Sequence, residues 1–179
     1  TRFAFGAGGD VPVPRDYDQD GKTDAAFFRA REGLWSVRDL TDIYFGKAGD
    51  VPLPADYDGD GWIDAAVFRP SLGLWAVRGL TRKWWGTMGD IPAPADYDRD
   101  GTTEMAIYRP PTGLWAGILS QEGPSRICLG LDGDIPVPAN FDGGEWTQPA
   151  VFRPSSGLWA ARSLTRCWFG SSGDIPVTK

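Results

Sequence analysis

Residues 50–89 read DVPLPADYDGDGWIDAAVFRPSLGLWAVRGLTRKWWGTMG, and the same pattern is written four times along the chain. Units begin at Asp10, Asp50, Asp90 and Asp134, and a partial fifth begins at Asp174. The steps are 40, 40, 44 and 40 residues, the longer third one holding an insertion near Ser120–Ser125. Units one and two agree at 23 of 40 positions, so the alignment is secure. Each unit divides into four short segments, seen in unit two as Val51–Tyr57, Ala65–Arg69, Leu74–Arg78 and Leu80–Trp85. The first is extended and rich in proline. The others are rich in β-branched or aromatic residues, with Gly or Pro between segments, and none carries a helical stripe. They read as strands A to D of a small antiparallel sheet.

Four-stranded sheets repeated about every 40 residues are the pattern of β-propeller blades. The expectation is an all-β, propeller-like array of four blades in a single domain, 1–179. Its repeats are 10–49, 50–89, 90–133 and 134–173. Residues 1–9 copy a D strand (TRFAFG beside TRKWWG), and residues 174–179 copy the start of an A strand. Those two orphan strands leave open a larger ring formed with another chain. A β-solenoid with long rungs is the other architecture.

Composition narrows the chemistry. Gly and Pro supply 39 of the 179 residues, which favours turns over long helices. No apolar run is long enough to span a bilayer as a helix. The chain starts at Thr1 with no visible leader and reads as a mature form or a fragment. It has no His, which excludes Ser-His-Asp and Cys-His catalysis and His-ligated zinc or haem. A net charge of −6 argues against nucleic acid as a partner. Cys128 and Cys167 are too few for a disulfide framework, and their spacing sends them to opposite faces of equivalent strands.

The chemically specific motif lies between strands A and B. Unit one has Asp16, Asp18, Asp20, Gly21, Lys22 and Asp24 at positions 1, 3, 5, 6, 7 and 9 of the loop. Unit two has Asp56, Asp58, Asp60, Gly61, Trp62 and Asp64, and unit three Asp96, Asp98, Asp100, Gly101, Thr102 and Glu104. Carboxylates at 1, 3, 5 and 9, a turn-forming Gly at 6 and a backbone carbonyl at 7 are calcium-loop spacing. An all-oxygen donor set suits a hard cation rather than zinc or copper. Four carboxylates in nine residues repel one another unless a cation sits among them. Three Ca²⁺ would add +6 to the chain's −6. The fourth loop, Asn140–Gln148, has Gly144 at position 5 and Gln148 at position 9, and is expected to be empty or weak.

The loop resembles the calcium-binding FG-GAP repeats of integrin-type propellers. The whole unit, with its G-D-I-P-V-P-A-D-Y-D-G-D-G core and F-R-P-x-x-G-x-W continuation, resembles the FG-GAP/VCBS-like repeats of secreted bacterial proteins. The likeness covers nearly the whole chain. It implies a β-propeller, calcium in the A–B loops and a secreted, extracellular or cell-surface setting. Family functions are mostly adhesion, ligand binding and carriage of catalytic domains, and some integrin-like propellers are lectins.

Four Trp recur in G-L-W: Trp35, Trp75, Trp115 and Trp159. Repetition inside an apolar strand marks them as packing residues, with sugar stacking the alternative. Trp62 and Trp146 at loop position 7, and Trp84, Trp85 and Trp168 on strand D, are the ligand-binding candidates. Arg29, Arg69, Arg109 and Arg153 recur in F-R and are expected to pair with the G-D aspartates, the alternative being an anion-binding ring. No nucleophile elbow, phosphate loop or carboxylate pair for glycoside hydrolysis is present, so an enzyme is not expected. Two functions remain. One is a calcium-stabilised carbohydrate-binding or adhesive module, lectin-like, for glycans or extracellular proteins. The other is a non-catalytic scaffold that self-associates through residues 1–9 and 174–179.

Overall fold

The structure is a computed structural model and describes residues 4–119, 123–144, 146–164, 166–171 and 173–176. It is all-β, with four four-stranded antiparallel sheets, each a simple meander in chain order. The first comprises β1 (Val11–Pro12), β2 (Ala26–Arg29), β3 (Leu34–Val37) and β4 (Thr41–Tyr44). The second comprises β5 (Val51–Pro52), β6 (Ala66–Arg69), β7 (Leu74–Val77) and β8 (Thr81–Trp84). In the third are β9 (Ile91–Pro92), β10 (Ala106–Arg109), β11 (Leu114–Leu119) and β12 (Gly123–Cys128). The fourth has β13 (Ile135–Pro136), β14 (Ala150–Arg153), β15 (Leu158–Ala161) and β16 (Cys167–Trp168). These are propeller-type blades, one per sequence repeat. A 3-10 turn over Pro110–Thr112 is the single helical element among the described residues. No helix there is long and apolar enough to cross a membrane.

Strand A is shorter than the sequence suggests. Only Val51–Pro52 of Val51–Tyr57 is ladder, followed by an isolated bridge between Ala55 and Asp64. Pro52 and Pro54 lack the N–H that a longer ladder needs. The insertion in repeat three lengthens β11 and β12 to six residues each, with residues 120–122 outside the described set. Of the expected terminal strands, residues 4–9 and 174–176 are described and carry no strand, and 1–3 and 177–179 lie outside. Phe5 nevertheless packs on Phe27, ring centroids 5.0 Å apart. Gly6 stands against Asp10 and Phe27 much as Gly46 stands against Asp50 and Val67. The amino-terminal segment thus occupies the place of a preceding blade's last strand.

The chain divides into two compact units, Thr1–Met88 and Gly89–Lys179, each holding two blades. In the first unit, Phe28, Trp35 and Val37 of blade one pack on Ala65, Val67 and Ala76 of blade two. In the second, Tyr108 and Trp115 of blade three pack on Val151 and Ala160 of blade four. A central strand is therefore buried on both faces, which is why AFF and LWSV lack polar alternation. Trp35, Trp75 and Trp115 are 2%, 0% and 3% exposed, the packing role expected of them. Each sits against its cross-strand aromatic, as Phe28 and Trp35 do at 4.9 Å.

Two further repeated features close each blade. Arg29, Arg69, Arg109 and Arg153 each grip an aspartate of their own repeat, Asp10, Asp50, Asp90 and Asp134, with Nε–Oδ1 distances of 2.7–2.8 Å. The guanidiniums thus serve carboxylates inside the blades. The Gly of G-L-W has a backbone reason: Gly33 has φ +65°, and a Cβ there would lie 2.5 Å from the Gly46 carbonyl oxygen. Gly33→Ala is expected to cost at least about 2 kcal/mol in a urea melt, combining left-handed strain with a backbone clash. A neutral result would mean that this hairpin relaxes freely. Cys128 and Cys167 are both free thiols. Cys128 stands opposite Leu114 and Cys167 opposite Trp159, which places them on opposite faces as expected.

Candidate functional site

Each A–B loop is pinned at its base by an antiparallel bridge: Arg15 with Asp24, Ala55 with Asp64, Ala95 with Glu104 and Ala139 with Gln148. The position-9 side chain then accepts the backbone N–H of position 2. Those bonds run from Tyr17 to Asp24 (2.8 Å), Tyr57 to Asp64 (2.9 Å), Tyr97 to Glu104 (2.6 Å) and Phe141 to Gln148 (2.7 Å). The tyrosines point inward. Their hydroxyls donate to the carbonyls of Val13, Leu53 and Ala93, and burial pushes the phenols far above their usual range.

The loop tip is wound by its own carboxylates. Gly21, Gly61 and Gly101 have φ of +82°, +87° and +89° and donate to the position-1 carboxylates Asp16, Asp56 and Asp96. Lys22, Trp62 and Thr102 donate their N–H groups to Asp20, Asp60 and Asp100, each at 2.8 Å. This winding brings distant acids together. Asp96, Asp98, Asp100 and Glu104 can place one oxygen each within 4.8 Å of one another. So can Asp16, Asp18 and Asp24, and Asp56, Asp58 and Asp64. These clusters could hold a metal ion. Asp20 and Asp60 stand outside them, and Asp20 binds the Lys22 ammonium at 2.6 Å. That contact pulls the Asp20 carboxyl below the usual carboxylate range.

Charge is expensive at these loop bases. Burial raises the Asp64 carboxyl, and the charges of Asp58, Asp56 and Asp60 add to the effect. Glu104 is 3% exposed, and burial, with Asp98 and Asp96 nearby, pushes its carboxyl up to about 7. Its Oε2 takes the Tyr97 N–H, whereas its Oε1 is buried without any hydrogen-bond partner. An orphaned buried carboxylate oxygen inside a four-acid cluster fits a hard cation. The fourth loop keeps the fold without the charge. Gln148 makes the position-9 bond, Asn140 accepts the Gly143 N–H, and no acidic cluster occurs there among the described residues.

The aromatic candidates separate by exposure. Trp62, Trp84, Trp146 and Trp168 are half to largely exposed, and Trp85 is half-buried. Trp84 and Trp168 share one register position, opposite Leu74 and Leu158. Tyr44 holds that position in blade one, opposite Leu34, and is equally exposed. Its place in the repeat alignment is the signal that could have found it. Trp146 lines a cavity with Gly117, Arg162 and Ser163, none of which the sequence reading had singled out as a ligand residue. Compared with protein-family models, curated proteins and solved structures, the chain matches none of them.

Proposed function

We propose that the chain is a calcium-stabilised binding module of the FG-GAP/VCBS type, secreted or at a cell surface, whose ligands are carbohydrates. It binds rather than catalyses. The observation that carries the calcium part is the buried, unpartnered Oε1 of Glu104 among Asp96, Asp98 and Asp100. Asp16, Asp18, Asp24 and the Lys22 carbonyl would hold one ion, joined by Asp20 once it turns from the Lys22 ammonium. Asp56, Asp58, Asp64 and the Trp62 carbonyl would hold a second, joined by Asp60 once it turns inward, and Asp96, Asp98, Asp100, Glu104 and the Thr102 carbonyl a third. When bound, calcium supplies positive charge that cancels carboxylate repulsion and ties the start of a blade to its second strand. The carbohydrate part rests on repeated solvent-facing indole rings, whose flat apolar faces suit the C–H face of a sugar. Repetition would convert weak sites into avid binding.

The test is a glycan array probed with folded protein at millimolar Ca²⁺ and again with chelator. Binding in calcium that falls on chelation is expected. A blank array from calcium-loaded protein would reject the carbohydrate reading.

One observation favours a second reading, self-assembly. On blade four, Phe141, Trp159, Ala161 and Leu164 line an apolar cavity of about 350 Å³, and Trp159 stays part-exposed where Trp115 of blade three is buried under a neighbouring blade. A second copy packing there would bury that face. Mass in solution decides: a concentration-dependent oligomer that is lost on deleting residues 1–9 supports assembly, and a strict monomer rejects it.

A further inference from the structure

Within the second unit, a cavity of about 380 Å³ opens where blade three meets blade four. Its wall includes Tyr97, Trp115, Gly117, Trp146, Gln148 and Arg162. We propose that this cavity is a pocket for one neutral pyranose ring, opened by Gly117 and capped by Trp146. The proposal deepens the carbohydrate reading above and rests on it.

Gly117 is the decisive residue. It stands opposite Ala106 in β11. The same position is Val37 opposite Ala26 in blade one and Val77 opposite Ala66 in blade two, both buried. Gly117 has no conformational reason to be glycine, because its φ is not in the left-handed region. A Cβ there would meet the Ala106 Cβ at 3.4 Å, an ordinary contact. Glycine in the middle of a strand costs roughly 0.5–1 kcal/mol relative to alanine and often marks close approach by a ligand. The missing side chain leaves space, and space is what the position provides.

The floor around that space is apolar and held in place. The Trp115 indole donates to the Leu129 carbonyl at 3.0 Å, and the Tyr97 hydroxyl donates to Ala93 at 2.7 Å. The Gln148 Oε1 accepts the Phe141 N–H. Polar groups stand at the rim: Asp142, Thr147, Arg162 and Ser163. Arg162 is exposed, its N–H is tied to the Pro149 carbonyl at 2.9 Å, and it makes no ion pair among the described residues. Trp146 is 52% exposed, with one part of its surface on the cavity and another in solvent. An apolar floor, an indole wall and a rim of one carboxylate, one guanidinium and two hydroxyls match a ring with an apolar face and hydroxyls at its edge. One acid and one base at the rim balance, which favours an uncharged sugar over a uronic or sialic acid. The volume lies near the lower end of small-ligand pockets, about 300–1,000 Å³, and suits a single ring.

The experiment titrates calcium-loaded protein with a panel of neutral methyl hexopyranosides, read by saturation-transfer NMR and calorimetry. At least one glycoside is expected to bind the wild type. Gly117→Val installs the residue of blades one and two, so it should fold with an equal or higher thermal midpoint while weakening that glycoside about tenfold or more. Arg162→Ala, an exposed change that does not depend on refilling the core, should weaken it too, and Arg78→Ala, the exposed equivalent position of blade two, should not. Full binding by both Gly117→Val and Arg162→Ala would overturn this pocket and leave the carbohydrate reading standing with its site elsewhere. If no glycoside binds the wild type and the glycan array is also blank, both fall. A blank panel with a positive array overturns the single-ring pocket alone.

Discussion

Chelation is expected to lower the thermal midpoint of the wild-type protein by on the order of 20 °C if the three acidic loops hold calcium as proposed. Each ion held at about a hundredfold its dissociation constant contributes about 2.7 kcal/mol, and three loops are involved. For a chain of this size roughly 2–4 °C accompanies each kcal/mol. The diagnostic variant is Glu104→Gln, whose effect changes sign with the metal. Without cation, Glu104 is buried beside three further carboxylates, and its carboxyl is raised from 4.5 to about 7. The folded state therefore binds more protons than the unfolded state between those values. Its contribution is fully favourable below about pH 4.5 and is lost as the pH rises through about 7, a swing of about 3 kcal/mol. Above pH 7 in chelator, Gln removes that burden and raises the midpoint by several degrees. Gln148 already fills the equivalent place in blade four and makes the same bond to the backbone. In calcium the same variant loses a ligand oxygen and lowers the midpoint. A shift of equal sign and size in both conditions would show that Glu104 does not meet a cation.

Asp50→Asn is expected to destabilise by about 3–5 kcal/mol, or roughly 6–20 °C. The Asp50 carboxylate is fully buried and accepts three donors: Arg69 Nε at 2.7 Å, Arg69 Nη2 at 2.8 Å and the Lys47 N–H at 3.0 Å. Asn keeps the shape and removes the charge. Its amide NH₂ must then face a donor, and Arg69 is left with a half-satisfied cation. Arg69→Met probes the other side of the pair. If Asp50→Asn is severe and the double variant Asp50→Asn with Arg69→Met recovers part of the loss, the damage comes from the orphaned guanidinium. Near-wild-type melting of Asp50→Asn would mean that solvent reaches the pair and that the repeated G-D step serves another purpose.

The blade pattern was legible because it is local and repeated. Strand positions follow from Gly, Pro and β-branched residues within each unit, and four copies average out the ambiguity of any one. The Arg–Asp pairs were foreseen from their co-recurrence. The structure adds that both partners belong to one repeat, because they stand one step beyond the Val11–Phe28 pair and its equivalents. Strand A is shorter than its extended pattern suggests because its prolines remove ladder donors. The acid spacing marked three loops, whereas only the folded loops show that Asp20 turns to Lys22 and that Glu104 keeps one oxygen unpaired.

Sequence by itself therefore determined the repeat, the strand order, the acidic loops and the loss of charge in the fourth. These depend on residue type and spacing along one chain segment. Tertiary structure decided which indoles are packing and which face water, since exposure depends on the neighbouring blade rather than on the residue. It also decided that Gly117 leaves a cavity. A missing side chain becomes a space only when Ala106, Trp115 and the fourth loop are folded around it, and no spacing rule encodes an absence.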